Sequence, residues 1–190
     1  KPTNPLLELC DIQETSKLCK AHEINLAVDN TFMSPYGQTP LALGADIVMH
    51  SATKFIGGHS DLITGTLITN DTSLAERLYF IQKSGGAIPS PFDCWLVLRG
   101  IQTLFIRMQT HTANAEKIAT YLSSHPEIEA VHYPGLETHD GHQIATEQMD
   151  SFGGMLSIQI RGGKNKAMSV AAKKSPFTAA KSLGGTSMYI

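Results

Sequence analysis

The 190-residue sequence contains no run of basic residues, no long apolar stretch and only three cysteines. Its net charge is −2, with lysine and arginine scattered along the chain, which argues against nucleic acid and an anionic membrane surface as partners. No apolar stretch approaches the roughly 20 residues of a membrane span, and no signal peptide is visible. We therefore expect a cytoplasmic protein whose partners include neither nucleic acid nor a membrane.

The three cysteines are Cys10, Cys19 and Cys94. Their odd number and their apolar helical neighbours predict reduced, buried thiols rather than a disulfide framework. A catalytic cysteine is the weaker alternative, because no histidine and aspartate converge on any of the three in the sequence.

The composition is that of a globular protein, with 42% hydrophobic and 17% charged residues. Its first half alternates helix and strand patterns. The segments "INLAVDNTF", "DIVMHS" and "GTLITN" predict strands, "GQTPLALGA" predicts a short helix ended by Gly44, and Asp71 or Thr72 is expected to begin another helix. This alternation predicts an α/β fold, a layered sheet with helices on its faces.

From Pro91 the pattern becomes helical for more than thirty residues, with Gly100 as the exception. Ser90 or Pro91 can begin this helix, and His125–Pro126 can end it. The strand patterns "IEAVHYPG" and "GGMLSIQIRGG" and a last helix, "KNKAMSVAAKK", follow. We therefore predict two domains, residues 1–100 and 101–190, with the boundary inside the long helix near Gly100.

Lys54 stands among small hydroxyl residues and glycines in "HSATKFIGGHSD" (50–61), directly after the strand "DIVM". Ligands of open α/β sheets bind beyond the carboxyl ends of the strands. Asp29 follows one such strand, and Ser51, Thr53 and Lys54 follow the next. Hydroxyl and N–H groups in a tight turn are phosphate ligands, but the glycine spacing of a P-loop is absent.

Pyridoxal phosphate needs an amine that forms a Schiff base, a phosphate cradle and an acid facing its ring nitrogen. Lys54, the hydroxyls of Ser51 and Thr53, and Asp29 supply these three parts. Two alternatives remain open from the residues alone. In the first alternative to the Schiff-base role, Lys54 is a structural lysine at a strand end. In the second, it is a cation that pairs with a phosphate.

Beyond these residues, "VDNTFMSPYGQTPLALGADIVMHSATKFIGGHSD" resembles the trans-sulfuration, or Cys/Met-metabolism, group of pyridoxal phosphate enzymes. The group's signature is similar to D-x3-H/Y-S-x-T-K-[FY]-x-x-G-H-S-D, and Asp46 to Asp61 satisfy it. The resemblance continues in the same order through "PTNPLLELCDI", "AIPSPFDCWLVLRGIQTL", "YPGL", "FGGML" and "SLGG". It therefore covers essentially the whole chain.

The resemblance implies pyridoxal 5'-phosphate as the cofactor, with Lys54 as the Schiff-base lysine and Asp29 as the partner of the ring nitrogen. Ser51 and Thr53 resemble the phosphate ligands. Asn4 matches a residue near the cofactor's phenolic oxygen and the substrate carboxylate, and Ser182 matches one at the carboxylate end. The implied fold is that of aspartate aminotransferase, fold type I, with part of a large cofactor domain and the start of a small α+β domain, in a homotetramer.

The resemblance also implies an enzyme that acts at the γ-carbon of a sulfur amino acid. "MSPY", "GGHSD" and "PSPFDCW" favour a cystathionine γ-lyase, which converts cystathionine to cysteine, 2-oxobutanoate and ammonia. Lys181 argues against this, because cystathionine-processing members often carry glutamate there. Cystathionine γ-synthase, methionine γ-lyase and an inactive cofactor-binding fragment remain alternatives. Family chains are roughly twice this length, so we expect a fragment that has little activity by itself.

Other polar residues are expected to be structural. His132, His139 and His142 lie in a loop without the firm fourth partner of a zinc site, so we expect no metal. Arg99 and Arg107 are expected to form buried or interface salt bridges.

Overall fold

The computed structural model of the chain describes residues 2–173, 180 and 182–186. Strands β1 (Ala27–Asp29), β2 (Ile47–Ser51) and β3 (Gly65–Ile68) form one sheet in that order. β1 pairs with β2 in parallel, and β2 pairs with β3 antiparallel. Strands β4 (Ile128–His132) and β5 (Ser157–Ile160) form a separate antiparallel pair. The strands predicted in both halves of the sequence are therefore present.

The described helices run before, between and after these strands. They are α1 (Ile12–Ala21), α2 (Ser34–Gly37), α3 (Thr72–Gly85), α4 (Pro91–Ile101), α5 (Leu104–Ser123), α6 (His142–Gln148) and α7 (Gly163–Ala171).

Side-chain caps fix where three of these helices begin. Asp11 Oδ1 accepts a hydrogen bond from Glu14 N at 2.9 Å, and Asp71 Oδ1 accepts one from Leu74 N at 2.8 Å. Ser90 Oγ accepts from Asp93 N at 3.0 Å, with Pro91 as the first helical residue. Such caps satisfy N–H groups that have no partner inside the helix. The helix starts predicted at Asp71 and Ser90 are confirmed.

Three buried clusters hold the elements together. Ile12 of α1 packs on Val28 and Val48 of the first sheet. Phe55, which follows β2, packs on Leu104 and Met108 of α5. Further along α5, Ala115 and Ala119 pack on Tyr133 after β4. Helix α5 thus contacts both halves of the chain, and the domain boundary near Gly100 stays a prediction.

The short helix predicted for "GQTPLALGA" is wrong. Helix α2 ends at Gly37, the first residue of this segment, and residues 40–44 form consecutive turns instead. Leu43 N donates to Pro40 O at 3.1 Å, and Gly44 N donates to Leu41 O at 3.2 Å. Pro40 disfavours helical geometry for the residue before it and lacks the N–H group that a helix would need, so α2 cannot run on through it.

The single long helix predicted after Ser90 is also wrong, because helix α4 ends at Ile101 and a separate helix, α5, begins at Leu104. Thr103 adopts φ −106° and ψ 5°, outside the helical region, and its N–H and Oγ1 both donate to Gly100 O. A threonine hydroxyl that binds a nearby carbonyl competes with the helix, which accounts for the break.

The prediction of buried thiols fails for two of the three cysteines. Cys10 and Cys94 are exposed, and Cys19 is half-buried; all three are free. The apolar neighbours of Cys94 are themselves exposed on α4, so their hydrophobicity did not signal a core position. The large exposed apolar side chains of α3 and α4 are Tyr79, Phe80, Ile81, Phe92, Trp95, Leu98 and Ile101. In the described residues, every helix is too short or too polar to cross a membrane.

Gly100 lets α4 pack directly on the loop that follows β2. A Cβ atom at this position would overlap Gly57 O and would lie 2.9 Å from Ile56 O. We predict that Gly100→Ala destabilises the protein, although alanine is intrinsically the better helix former by about 1 kcal/mol, because the helix must move off the loop. Urea denaturation measures the effect.

Gly85→Ala is the matched control, because nothing lies within 4 Å of a Cβ atom built on this helical glycine. It should leave the urea midpoint unchanged or raise it. A Gly100→Ala protein as stable as the Gly85→Ala protein would contradict the close packing of α4 on the loop.

Candidate active site

The carboxyl ends of β1 and β2 lie side by side, because the two strands are parallel. Asp29 is the last residue of β1 and pairs with Met49, two residues before Ser51 at the end of β2. Side chains two residues apart on a strand point to the same face. Asp29 and Ser51 therefore lie together at one edge of the sheet, and their cofactor roles stay predictions.

Lys54 lies in a tight turn directly after β2. Lys54 N donates to Ser51 O at 3.1 Å, and Gly58 N donates to Lys54 O at 2.8 Å. Ala52 and Phe55 are each 2% exposed, whereas Lys54 is only half-buried. The turn is thus anchored in the core by its neighbours, and the lysine side chain is left to face a cavity.

That cavity has a volume of about 260 Å³. Four of the predicted site residues, Asn4, Asp29, Ser51 and Lys54, line it together. The other lining residues are Pro2, Asn30, Thr31, Phe32, Met33 and Leu183. One amine, one carboxylate, hydroxyls and amides therefore surround a single space.

Ser182 reaches the site from the far end of the chain. Lys54 Nζ donates a hydrogen bond to Ser182 Oγ at 2.9 Å. Two residues on, Gly184 has φ +84°, and a Cβ atom there would lie 2.7 Å from the carbonyl carbon of Lys54. The glycine lets this segment rest on the Lys54 backbone, which places Ser182 beside the amine. Lys181 lies outside the described residues.

Thr53 is placed differently from the other predicted residues. Its Oγ1 donates to Thr64 O at 3.1 Å and accepts from Thr64 N at 3.0 Å, and the residue does not line the cavity. The hydroxyl ties the turn to the segment before β3. Its role as a phosphate ligand stays a prediction.

Thr31 is a site residue that sequence reasoning missed. Its N–H donates to Asp29 Oδ1 at 3.0 Å, and its Oγ1 accepts from Ser51 N at 2.8 Å. It therefore joins the ends of the two strands and orients the Asp29 carboxylate. The signal in the sequence is the spacing D-x-T, since an aspartate often accepts from the N–H two residues on.

His50 lies under the site in β2 and is 2% exposed. Its Nδ1 has no hydrogen-bond partner within the described ranges. Burial lowers the pKa of His50 below its ordinary value of 6.5, while the Asp29 charge and a hydrogen bond with the Asn30 backbone oppose this shift. His50 is therefore a buried, neutral imidazole, which agrees with its predicted packing role.

The prediction that His132, His139 and His142 share one loop is wrong for two of them, because His132 ends β4 and His142 begins α6. All three are used in local hydrogen bonds. His132 Nε2 lies 3.1 Å from Gln159 Nε2, His139 Nδ1 accepts from Gly141 N at 3.0 Å, and His142 Nδ1 lies 2.8 Å from Pro134 O. Throughout residues 2–173, 180 and 182–186, no three metal-ligating side chains cluster.

Within the part of the chain that the structure describes, neither Arg99 nor Arg107 forms a salt bridge, so the predicted buried ion pair is wrong and the interface alternative stays a prediction. The guanidinium of Arg99 lies 5.6 Å from the Trp95 ring centroid. Arg107 binds backbone carbonyls, among them Phe55 O at 2.6 Å. Carbonyl oxygens at a loop and at a helix end accept hydrogen bonds from a cation, as a carboxylate does. Such oxygens cannot be identified from the sequence, because every residue has one.

Comparison with known proteins gives consistent matches over the whole chain. The profile of a family described as "Cys/Met metabolism PLP-dependent enzyme" matches residues 1–190. A cystathionine gamma-synthase from Mycobacterium leprae is 50% identical over 189 residues, covering 100% of this chain and 49% of the relative. A cystathionine beta-lyase from Lactococcus lactis subsp. cremoris is 50% identical over 189 residues, covering 100% of this chain and 50% of the relative.

A solved structure gives the same result in three dimensions. The crystal structure of a cystathionine gamma-lyase from Lactobacillus plantarum, complexed with L-serine, has a TM-score of 0.95 and 44% identity. The match covers 98% of this chain and 49% of that one. The chain thus spans about half the length of the relatives that it matches. The predicted fold class, α/β of fold type I, is confirmed.

The burial of His50 predicts that the stability of the folded protein depends on pH. The pKa of His50 in the folded protein lies below 6.5, and burial together with Arg107 lowers that of His111 in the same direction. The unfolded chain therefore binds more protons at these histidines than the folded protein does as the pH falls through 6.5. Stability is full above pH 6.5 and decreases below it, by up to about 1.4 kcal/mol per pH unit for each histidine.

Urea denaturation between pH 8 and pH 5 gives the slope of the unfolding free energy against pH, which counts the protons taken up on unfolding. In His50→Gln this slope should fall by roughly one proton. His22→Gln, at an exposed position, is the matched control and should keep the wild-type slope. An unchanged slope in His50→Gln would contradict the assignment of His50 as a buried neutral group.

Proposed function

Because the chain belongs to the Cys/Met metabolism family of PLP-dependent enzymes, we propose that it carries the cofactor site of an enzyme that acts on a carbon–sulfur bond at the γ-carbon of a sulfur amino acid. The observation that supports this is the shared cavity: Asn4, Asp29, Ser51 and Lys54 line one space, and Ser182 accepts a hydrogen bond from Lys54 Nζ.

The groups around the cavity fit pyridoxal phosphate. The cavity volume of about 260 Å³ lies just below the lower end of the roughly 300–1,000 Å³ that small-molecule sites occupy. The lining supplies an amine for a covalent bond, a carboxylate for the pyridine nitrogen and a hydroxyl for the phosphate. When bound, the cofactor withdraws electrons from the substrate's α-carbon and thereby makes its proton acidic.

Each proposed residue has a defined role. Lys54 Nζ bonds the cofactor and afterwards moves the proton of the substrate's α-carbon, because it is the one amine that lines the cavity in the described chain. Asp29 holds a proton on the ring nitrogen, and Thr31 N fixes the orientation of that carboxylate. Ser51 holds the phosphate, and Asn4 and Ser182 bind the substrate carboxylate.

The substrate class comes from the named relatives. A γ-synthase, a β-lyase and a γ-lyase, all named for cystathionine, match the chain at 44–50% identity. We therefore propose cystathionine as the amino acid, with γ-elimination to cysteine, 2-oxobutanoate and ammonia as the reaction. γ-Synthesis is the second candidate, because a relative of that name is 50% identical. The activity is proposed for the complete natural chain, acting in the cytoplasm as a homotetramer.

The products of the reaction test this proposal. The complete natural chain is purified with pyridoxal phosphate and given cystathionine. γ-Elimination consumes water and releases cysteine, 2-oxobutanoate and ammonia, whereas β-elimination releases homocysteine, pyruvate and ammonia. A second assay supplies cysteine and an activated homoserine ester and measures cystathionine formation. We expect 2-oxobutanoate from the first assay; pyruvate alone, or cystathionine synthesis alone, would contradict γ-elimination.

Lys54→Ala is predicted to abolish both turnover and the covalent attachment of the cofactor, because no other amine lines the cavity among the residues that the structure describes. Borohydride reduction followed by peptide mass mapping measures the attachment. Lys83→Ala, at an exposed position on α3, is the control and should retain both. Cofactor still reduced onto the Lys54→Ala protein would refute the assignment.

Asp29→Asn is predicted to keep bound cofactor but to lose several orders of magnitude in turnover. The amide oxygen can still accept from Thr31 N, so the local turn persists. An amide carries no charge, however, and cannot hold the proton on the ring nitrogen by charge pairing. Cofactor content and turnover are measured on the same sample. Near-normal turnover with full cofactor would remove Asp29 from the catalytic residues.

A further inference from the structure

Arg107 lies at the start of α5 and connects two separate backbone segments. Its Nη1 donates to Phe55 O at 2.6 Å and its Nη2 to Ile56 O at 3.3 Å. The same Nη2 donates to Gly100 O at 2.8 Å, and Nε donates to Thr103 Oγ1 at 3.0 Å. One guanidinium therefore binds both the turn that follows Lys54 and the carboxyl end of α4.

The two carbonyls on the turn depend on this arginine. Phe55 and Ile56 are 2% and 6% exposed, and no backbone N–H in the described ranges donates to either carbonyl. A buried carbonyl without a partner costs about 1–3 kcal/mol. Arginine suits the place because its planar guanidinium carries five N–H donors in a fixed arrangement, whereas lysine offers a single point charge.

Two glycines leave space for the guanidinium. Gly58 has φ +74°, and a Cβ atom there would overlap the Arg107 guanidinium. Gly100 has no side chain between α4 and the turn. Because Gly58 N also donates to Lys54 O at 2.8 Å, the turn of residues 54–58 is closed by its own hydrogen bond and held from outside by Arg107.

The charge of Arg107 is balanced by dipoles. In the described part of the chain no carboxylate pairs with it, and its partners include Gly100 O in the last turn of α4. The carboxyl end of a helix carries partial negative charge that favours a cation. Burial lowers the pKa of Arg107, as expected for a guanidinium withdrawn from water.

We propose that Arg107 is a positioning residue for Lys54. By holding Phe55 O and Ile56 O against α4, it fixes the turn from which the lysine side chain reaches the cavity. The inference rests on the proposed function, in which Lys54 Nζ bonds the cofactor and moves the substrate proton. Arg107 itself touches neither cofactor nor substrate; it acts through the backbone of residues 54–58.

The test compares Arg107→Met with Arg99→Met in the complete natural chain. Both changes remove a guanidinium and keep an apolar stem, but the Arg99 side chain is exposed and lies over the Trp95 ring. Turnover is expressed per mole of cofactor that borohydride attaches to Lys54. We expect kcat in Arg107→Met to fall roughly 100-fold, as a displacement of about 1 Å can cause, with little change in KM. Arg99→Met should retain the wild-type kcat.

Two further variants keep the proposal testable if Arg107→Met does not fold. Arg107→Lys retains the charge without the paired donors and should lose about tenfold in kcat. Arg107→Ala should regain part of the lost turnover when guanidinium ion is added at millimolar concentration. A purely stabilising role predicts a lower melting temperature in these variants, but a normal kcat per attached cofactor and no rescue. That result would overturn the proposal.

Hydrogen exchange provides a readout that is independent of activity. In the chain without cofactor, the Gly58 amide, which donates to Lys54 O, should exchange faster in Arg107→Lys than in wild type, and Arg99→Met should leave it unchanged. Unchanged exchange in Arg107→Lys would contradict the role in holding the turn. A wild-type protein that never attaches the cofactor at Lys54 would instead refute the proposed function, and the inference with it.

Discussion

The parallel pairing of β1 with β2 is the constraint on which the site depends. Parallel strands end at the same edge of a sheet, so Asp29 and Ser51 must lie together once Ala27 pairs with Ile47. A slip of one residue would turn the side chain of Asp29 to the opposite face and break the arrangement. Thr31 bridges the two strand ends through Asp29 Oδ1 and Ser51 N, so the register is held at the site itself as well as by the buried side chains behind it.

The position of Lys54 depends on contacts made far from it in the sequence. Its turn is packed from below by Phe55 on Leu104 and Met108, held by Arg107, and covered by the segment around Gly184. Three stretches separated by about fifty to 130 residues thus meet at one lysine. Such contacts restrict the backbone more than the turn's own hydrogen bonds could, and a restricted backbone is what a reactive amine needs to reach one place repeatedly.

The site was more predictable from the sequence than parts of the fold. Asp29, Ser51 and Lys54 follow apolar strand patterns, and a parallel sheet leaves them only one place to meet. The turns at residues 40–44 and the break at Thr103 were missed because helical periodicity persists through both, while Pro40 and the Thr103 hydroxyl end the helices. The salt bridge predicted for Arg107 fails because its partners are backbone carbonyls. Every residue has a carbonyl, so no sequence pattern marks the ones that bind an arginine.

The charge of the cavity limits which anions its described residues can hold by themselves. A phosphate monoester carries about −1.5 to −2 charges at neutral pH, and an amino-acid substrate adds a carboxylate. Among the described residues that line the cavity, Lys54 is the one cation, and Asp29 adds a negative charge. Lys54 cannot neutralise both anions while its amine bonds the cofactor. Anions withdrawn from water need paired donors, so the proposed cofactor and substrate require more cations or N–H groups than the described lining supplies.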